Sequence, residues 1–117
     1  MKTDSLFDLV ALNLLPGLGP ISIRRALTHF GDAHRLAFGL PAQELRRMAR
    51  LPAKHVDDFL EVHRTLQRRT EREMRLAERH GVRLVPFTAA DYPAALVELP
   101  DAPVILYQRG EMPDGVL

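Results

Sequence analysis

The chain contains no cysteine and no tryptophan, and its aromatic residues make up only 6% of the sequence. Without cysteine there are no disulfides and no thiolate metal sites, a usage that suits a reducing compartment. No apolar run reaches the length a membrane-crossing helix needs, so no membrane partner is expected. The opening residues Met1-Lys2-Thr3-Asp4-Ser5 are not followed by the long apolar core of a secretory leader, and a cytoplasmic protein is expected. Catalytic signatures are missing too. The histidines His29, His34, His55, His63 and His80 show no HExxH spacing, and His29 and His34 have no carboxylate arranged beside them in sequence. There is no GxxxxGK[ST] phosphate loop and no serine in a nucleophile elbow. Asp57, Asp58 and the glutamates around Glu71 fall on a solvated helix without a pocket. The expectation is a protein with no catalytic residues, no metal and no cofactor.

What is present is a chain of 117 residues with 46% hydrophobic content, enough for one packed domain or two small ones. Its net charge of +1 hides an asymmetry. Residues 1–80 hold 14 Lys/Arg against 10 Asp/Glu, whereas residues 81–117 hold 2 against 5. All the basic residues of the first part except Lys2 and Lys54 are arginine. Arginine forms forked bonds to phosphate that lysine does not, so the bias is compatible with nucleic acid. Solvated helix faces are the plainer account, and on charge alone they are favoured.

The stretch that organises the chain is Leu15-Pro16-Gly17-Leu18-Gly19-Pro20. An apolar helical pattern precedes it and an amphipathic one follows, which describes a tight hairpin between two helices. Glycine tolerates positive φ and lets another molecule approach the main chain. Pro20 suits the first turn of a helix, where its missing N–H is not needed. The free amides and the positive end of the helix dipole then make an anion site, and a nucleic-acid phosphate fits it. The candidate DNA-binding residues are Gly17, Leu18, Gly19 and Ile21 at the hairpin, with Arg24 and Arg25 flanking it one turn later. The plainer readings are a turn between core helices and two ordinary surface arginines.

Spacing predicts a first helix over residues 4–15, capped by Asp4 or Ser5, and a second from Pro20 to Phe30 stopped by Gly31. A short helical segment follows over 32–38, then a helix over 42–50. The turn Leu51-Pro52-Ala53-Lys54 repeats the helix-turn-helix pattern without its glycines, leaving Lys54 as a weak contact candidate. From Val56 one long helix is expected to run to about His80, its polar last part projecting as a spacer. There Arg68, Arg72, Arg75 and Arg79 fall on one stripe, with Glu71, Glu73 and Glu78 interleaved. A salt-bridged exposed face is preferred to a DNA-binding stripe. Beyond Gly81 the chain reads as strand 82–87, a short helix ending near Leu96 or Val97, and strand 104–108. The second strand is apolar nearly throughout, as expected where both faces are covered.

Several blocks resemble the N-terminal part of the DNA-processing protein A family (DprA, or Smf). They are Leu15-Pro-Gly-Leu-Gly-Pro20, then Phe30-Gly31-Asp32, then Asp91-Tyr92-Pro93-Ala-Ala-Leu96, then Leu99-Pro-Asp101-Ala-Pro103-Val-Ile-Leu106-Tyr107-Gln-Arg-Gly110. The resemblance spans roughly residues 6–110 and implies a mostly α chain. Residues 1–80 would form a helix-hairpin-helix, SAM-like domain, and residues 81–117 the first strands of an incomplete Rossmann-like α/β domain. It also implies a cytoplasmic, non-enzymatic protein of natural transformation and competence. Such proteins bind single-stranded DNA and load the RecA recombinase during DNA recombination. The family's main DNA groove, RecA contact and homodimer surface lie in the part of the Rossmann-like domain that would follow residue 117. Two rival readings stand beside it. One is a helical protein–protein interaction module of a recombination protein with no direct DNA contact, displaying Phe38, Leu40 and Leu51. The other is an enzyme whose catalytic domain lies beyond Leu117.

Overall fold

The computed structural model describes residues 4–51, 54 and 56–109. These are mostly helical with one small antiparallel sheet. In chain order they form α1 (Leu6–Leu14), α2 (Pro20–Phe30), a π-helical turn (Arg35–Gly39), α3 (Ala42–Met48) and α4 (Val56–Arg64). Then come α5 (Leu66–Arg79), β1 (Val82–Pro86), α6 (Ala94–Val97) and β2 (Ile105–Arg109).

Local chemistry sets the helix ends. Ser5 caps α1, its hydroxyl oxygen accepting the Asp8 amide at 3.2 Å. Asp4 instead accepts the Ala33 amide at 3.0 Å and fastens the start of α1 to the segment after α2. Pro20 opens α2, and Gly31 closes it with φ of 77° and an amide bond to the Leu27 carbonyl at 2.7 Å. The end of α3 uses the same left-handed turn without a glycine. Arg50 sits there at φ 55°, and the Leu51 amide reaches back to the Arg46 carbonyl at 3.0 Å. An L-residue in this region is disfavoured by about 1–2 kcal/mol, whereas glycine is not. Glycine's freer unfolded chain offsets about half of that gain. Arg50→Gly is therefore expected to raise stability by about 0.5–1 kcal/mol, measured by urea unfolding. A loss would show that the arginine side chain compensates its own backbone.

The single long helix expected from Val56 to His80 is two helices, broken at Thr65 (φ −114°, ψ 22°). The Thr65 amide bonds to the Val62 carbonyl at 3.2 Å, and its hydroxyl donates to the Glu61 carbonyl at 3.1 Å. Back-bonding of this kind often accompanies a bend. Nor does the polar second half project as a spacer. It lies along α1 and against β1, burying Leu66, Thr70 and Ala77. Thr70 is fully buried, and its hydroxyl is satisfied by the Leu66 carbonyl at 2.8 Å.

The strands pair antiparallel, with Val82 opposite Arg109 and Pro86 opposite Ile105. Within β2 only Ile105 is buried; Leu106 and Gln108 are half-buried and Tyr107 and Arg109 exposed, so the strand is not covered on both faces. Its apolar run reads differently because Val104 enters the core just before the strand begins. One apolar cluster joins Leu9, Leu12, Ile23, Leu36, Leu45, Phe59 and Leu66 of the helices to Val104 and Ile105. Tyr92 supports this edge, its hydroxyl donating to the Pro103 carbonyl at 2.7 Å while burial pushes its ionisation up. Arg83 of β1 pairs with Asp91 in the intervening turn.

Candidate nucleic-acid interface

The hairpin between α1 and α2 is anchored from within by leucine. Leu15 and Leu18 are 2% and 5% exposed, and the Leu18 amide donates to the Leu15 carbonyl at 3.2 Å. Leu18 therefore holds the turn in shape and has no free donor to offer. Gly17 stands out from the surface at φ 81°, a conformation in which a side chain would be strained. Gly19 is also exposed but has ordinary extended backbone (φ −81°, ψ 176°) and open space where a Cβ would lie. It occupies the cap position of α2 with no side-chain cap. Among the described residues, the amides of Gly17, Gly19, Ile21 and Ser22 donate to no backbone carbonyl. Pro20, lying between them, has no N–H. These donors gather at the positive end of α2, an arrangement suited to an anion.

The flanking residues divide. Arg25 is exposed on the second turn of α2, and Ile21 is 50% exposed beside the donors. Arg24 is committed elsewhere. Its guanidinium donates to the Leu99 carbonyl at 3.1 Å and the Val97 carbonyl at 3.5 Å, and it lies 5.2 Å from the centre of the Phe87 ring. It clips α2 to the turn after α6, so Arg25 is the flanking arginine left to meet a ligand. The second turn of the helix-turn-helix pattern lies close by, since a Cβ on Gly17 would meet Leu51 Cδ2 at 3.9 Å. Lys54 is exposed there, while Pro52 and Ala53 of that turn lie outside the described residues.

Two contacts escape a sequence reading. His34 does have a carboxylate partner: Asp8 of α1, 26 residues away, lies 2.9 Å from its Nδ1. Asp8 is 8% exposed and also accepts the Ser5 hydroxyl at 2.8 Å. The pair closes the joint between α1 and the segment after α2, where Phe7 stacks on Phe38 at 5.9 Å. His63 is part-buried on α4 against Phe59, and desolvation holds its imidazole below the usual range, partly offset by a bond with the Leu40 backbone. No group of three or more His, Cys, Asp or Glu side chains placed to hold a metal ion occurs among the described residues. The apolar residues Phe38, Leu40 and Leu51 are half-buried and pack against the core rather than forming an exposed face. Among the described residues no helix is long and apolar enough to cross a membrane.

No family model, curated protein or solved structure matches the chain.

Proposed function

We propose that the hairpin binds a phosphate of single-stranded DNA without regard to sequence, in a DprA-like recombination mediator acting in the cytoplasm during natural transformation. In this reading α1, the turn and α2 are a helix-hairpin-helix unit of SAM-like type, and β1 and β2 are the first strands of a Rossmann-like domain. RecA loading and dimerisation belong to the remainder of such a protein. The observation that carries the reading is the group of amides at Gly17, Gly19, Ile21 and Ser22 that, among the described residues, meet no backbone carbonyl at the start of α2. One phosphate held by amides, with Arg25 beside it, makes binding weak and gives a shallow dependence on salt.

Gly19→Asp separates binding from folding. A carboxylate at the cap position takes the Ile21 and Ser22 amides for itself and favours the helix dipole, so stability is expected to rise by about 0.5 kcal/mol. The same carboxylate repels phosphate. Affinity for a fluorescent oligothymidylate at low salt is expected to fall at least about tenfold, the loss of one charge-assisted contact. Unchanged affinity in a variant that folds as well as the parent would take the hairpin out of the account.

A further inference from the structure

The break at Thr65 leaves a shallow groove of about 400 Å³ on the outer side of α4 and α5, lined by Glu61, Thr65, Arg68, Arg69, Arg72 and Arg75. Four of its six lining residues are arginines. The salt-bridged face expected for this helix has not formed: among the described residues no ion pair joins Glu71 to Arg75, and Arg68 and Arg72 have no carboxylate partner. Two of the carboxylates beside the stripe are engaged elsewhere. Glu61 is taken by Arg64 at 2.6 Å, which holds its carboxyl below the usual range, and Glu73 accepts the Tyr107 hydroxyl at 2.7 Å. Arg69 is oriented by its Nε, which donates to the Thr65 hydroxyl at 2.7 Å. Exposed guanidiniums at this density repel one another unless an anion lies among them.

We propose that this groove is a second contact surface for a nucleic-acid strand, gripping successive backbone phosphates. Arg68, Arg72 and Arg75 recur along the helix at intervals of about 4.5–6 Å, and Arg79 continues the line, so the row spans about 16 Å. A single small anion answers one of these charges, whereas a polyanion answers the row. None of the groove's lining residues is apolar. Protein interfaces draw their affinity from buried apolar and aromatic anchors, which this groove does not provide. Backbone phosphates need no such anchor, and guanidinium forks match them in pairs of bonds. The surface is independent of the hairpin amides and uses side chains where the hairpin uses main chain.

The test is binding of the whole chain to a fluorescent oligothymidylate over a range of salt. The variant carries Arg68→Gln, Arg72→Gln and Arg75→Gln together. A charge-matched control carries Arg35→Gln, Arg83→Gln and Arg109→Gln. All six residues are exposed, so both proteins are expected to fold as the parent does, checked by circular dichroism. The groove variant should bind at least about tenfold more weakly at low salt, and its slope of log affinity against log salt should fall by about 2. The control should lose no more than about threefold, since distant exposed charges act only through a screened field. Equal losses in the two proteins would reduce the effect to overall charge and overturn the proposal. So would tighter binding of polyglutamate than of the oligonucleotide, which would make the groove a seat for an acidic protein. Gly19→Asp measured alongside keeps the two surfaces distinct, because either can fail while the other stands.

Discussion

Ile105→Ala is expected to lower the stability of the whole chain by about 2–5 kcal/mol, the range for removing most of a buried isoleucine side chain. Ile105 is 4% exposed and lies on the sheet, yet it belongs to the same apolar cluster as Leu9 and Leu12 of α1. The helical signal in circular dichroism should therefore melt earlier, in one transition with the strands. A helical signal that keeps its parent midpoint would mean that residues 1–80 and 81–117 fold as separate units despite the shared core.

Asp8→Ala should lower stability by about 2 kcal/mol, read from urea unfolding. The carboxylate is nearly buried and takes the Ser5 hydroxyl on one oxygen and His34 on the other. Its loss removes two charge-assisted bonds and frees the capping serine to rotate. His34→Ala should lower stability by less than about 1 kcal/mol, because the imidazole is 65% exposed and such pairs are weak in water. Equal effects from the two substitutions would move the weight of the contact from the Ser5 side to the histidine.

Much of the helical order is legible in sequence because it is set by neighbours. Ser5 before an apolar run, Pro20 at a helix start and Gly31 at a helix stop each act within a turn of their own position. The short helix after Pro93 is legible for the same reason. The break at Thr65 is not, because nothing punctuates that stretch. Its residues all tolerate helix, and the hydroxyl back-bond seen at Thr65 occurs at Thr28 and Thr70 without a break. The docking of α5 is hidden by its composition. Its buried positions are only Leu66, Thr70 and Ala77, a narrow stripe among many charges. The exposure of β2 beyond Ile105 follows from a sheet of only two strands among the described residues, which no local pattern encodes. At the candidate site the open glycine turn is legible from its residues. The diversion of Arg24 is not, since its partners Val97 and Leu99 lie 73 and 75 residues along the chain.

That diverted arginine fixes an angle. α2 is held at its first two turns by one guanidinium caught between two carbonyls and the Phe87 ring. The hairpin consequently cannot swivel on α2 without tearing loose from the Val97–Leu99 turn. On the proposed reading, a strand gripped there would leave along a path preset by the protein, as a thread leaves the eye of a clamped needle.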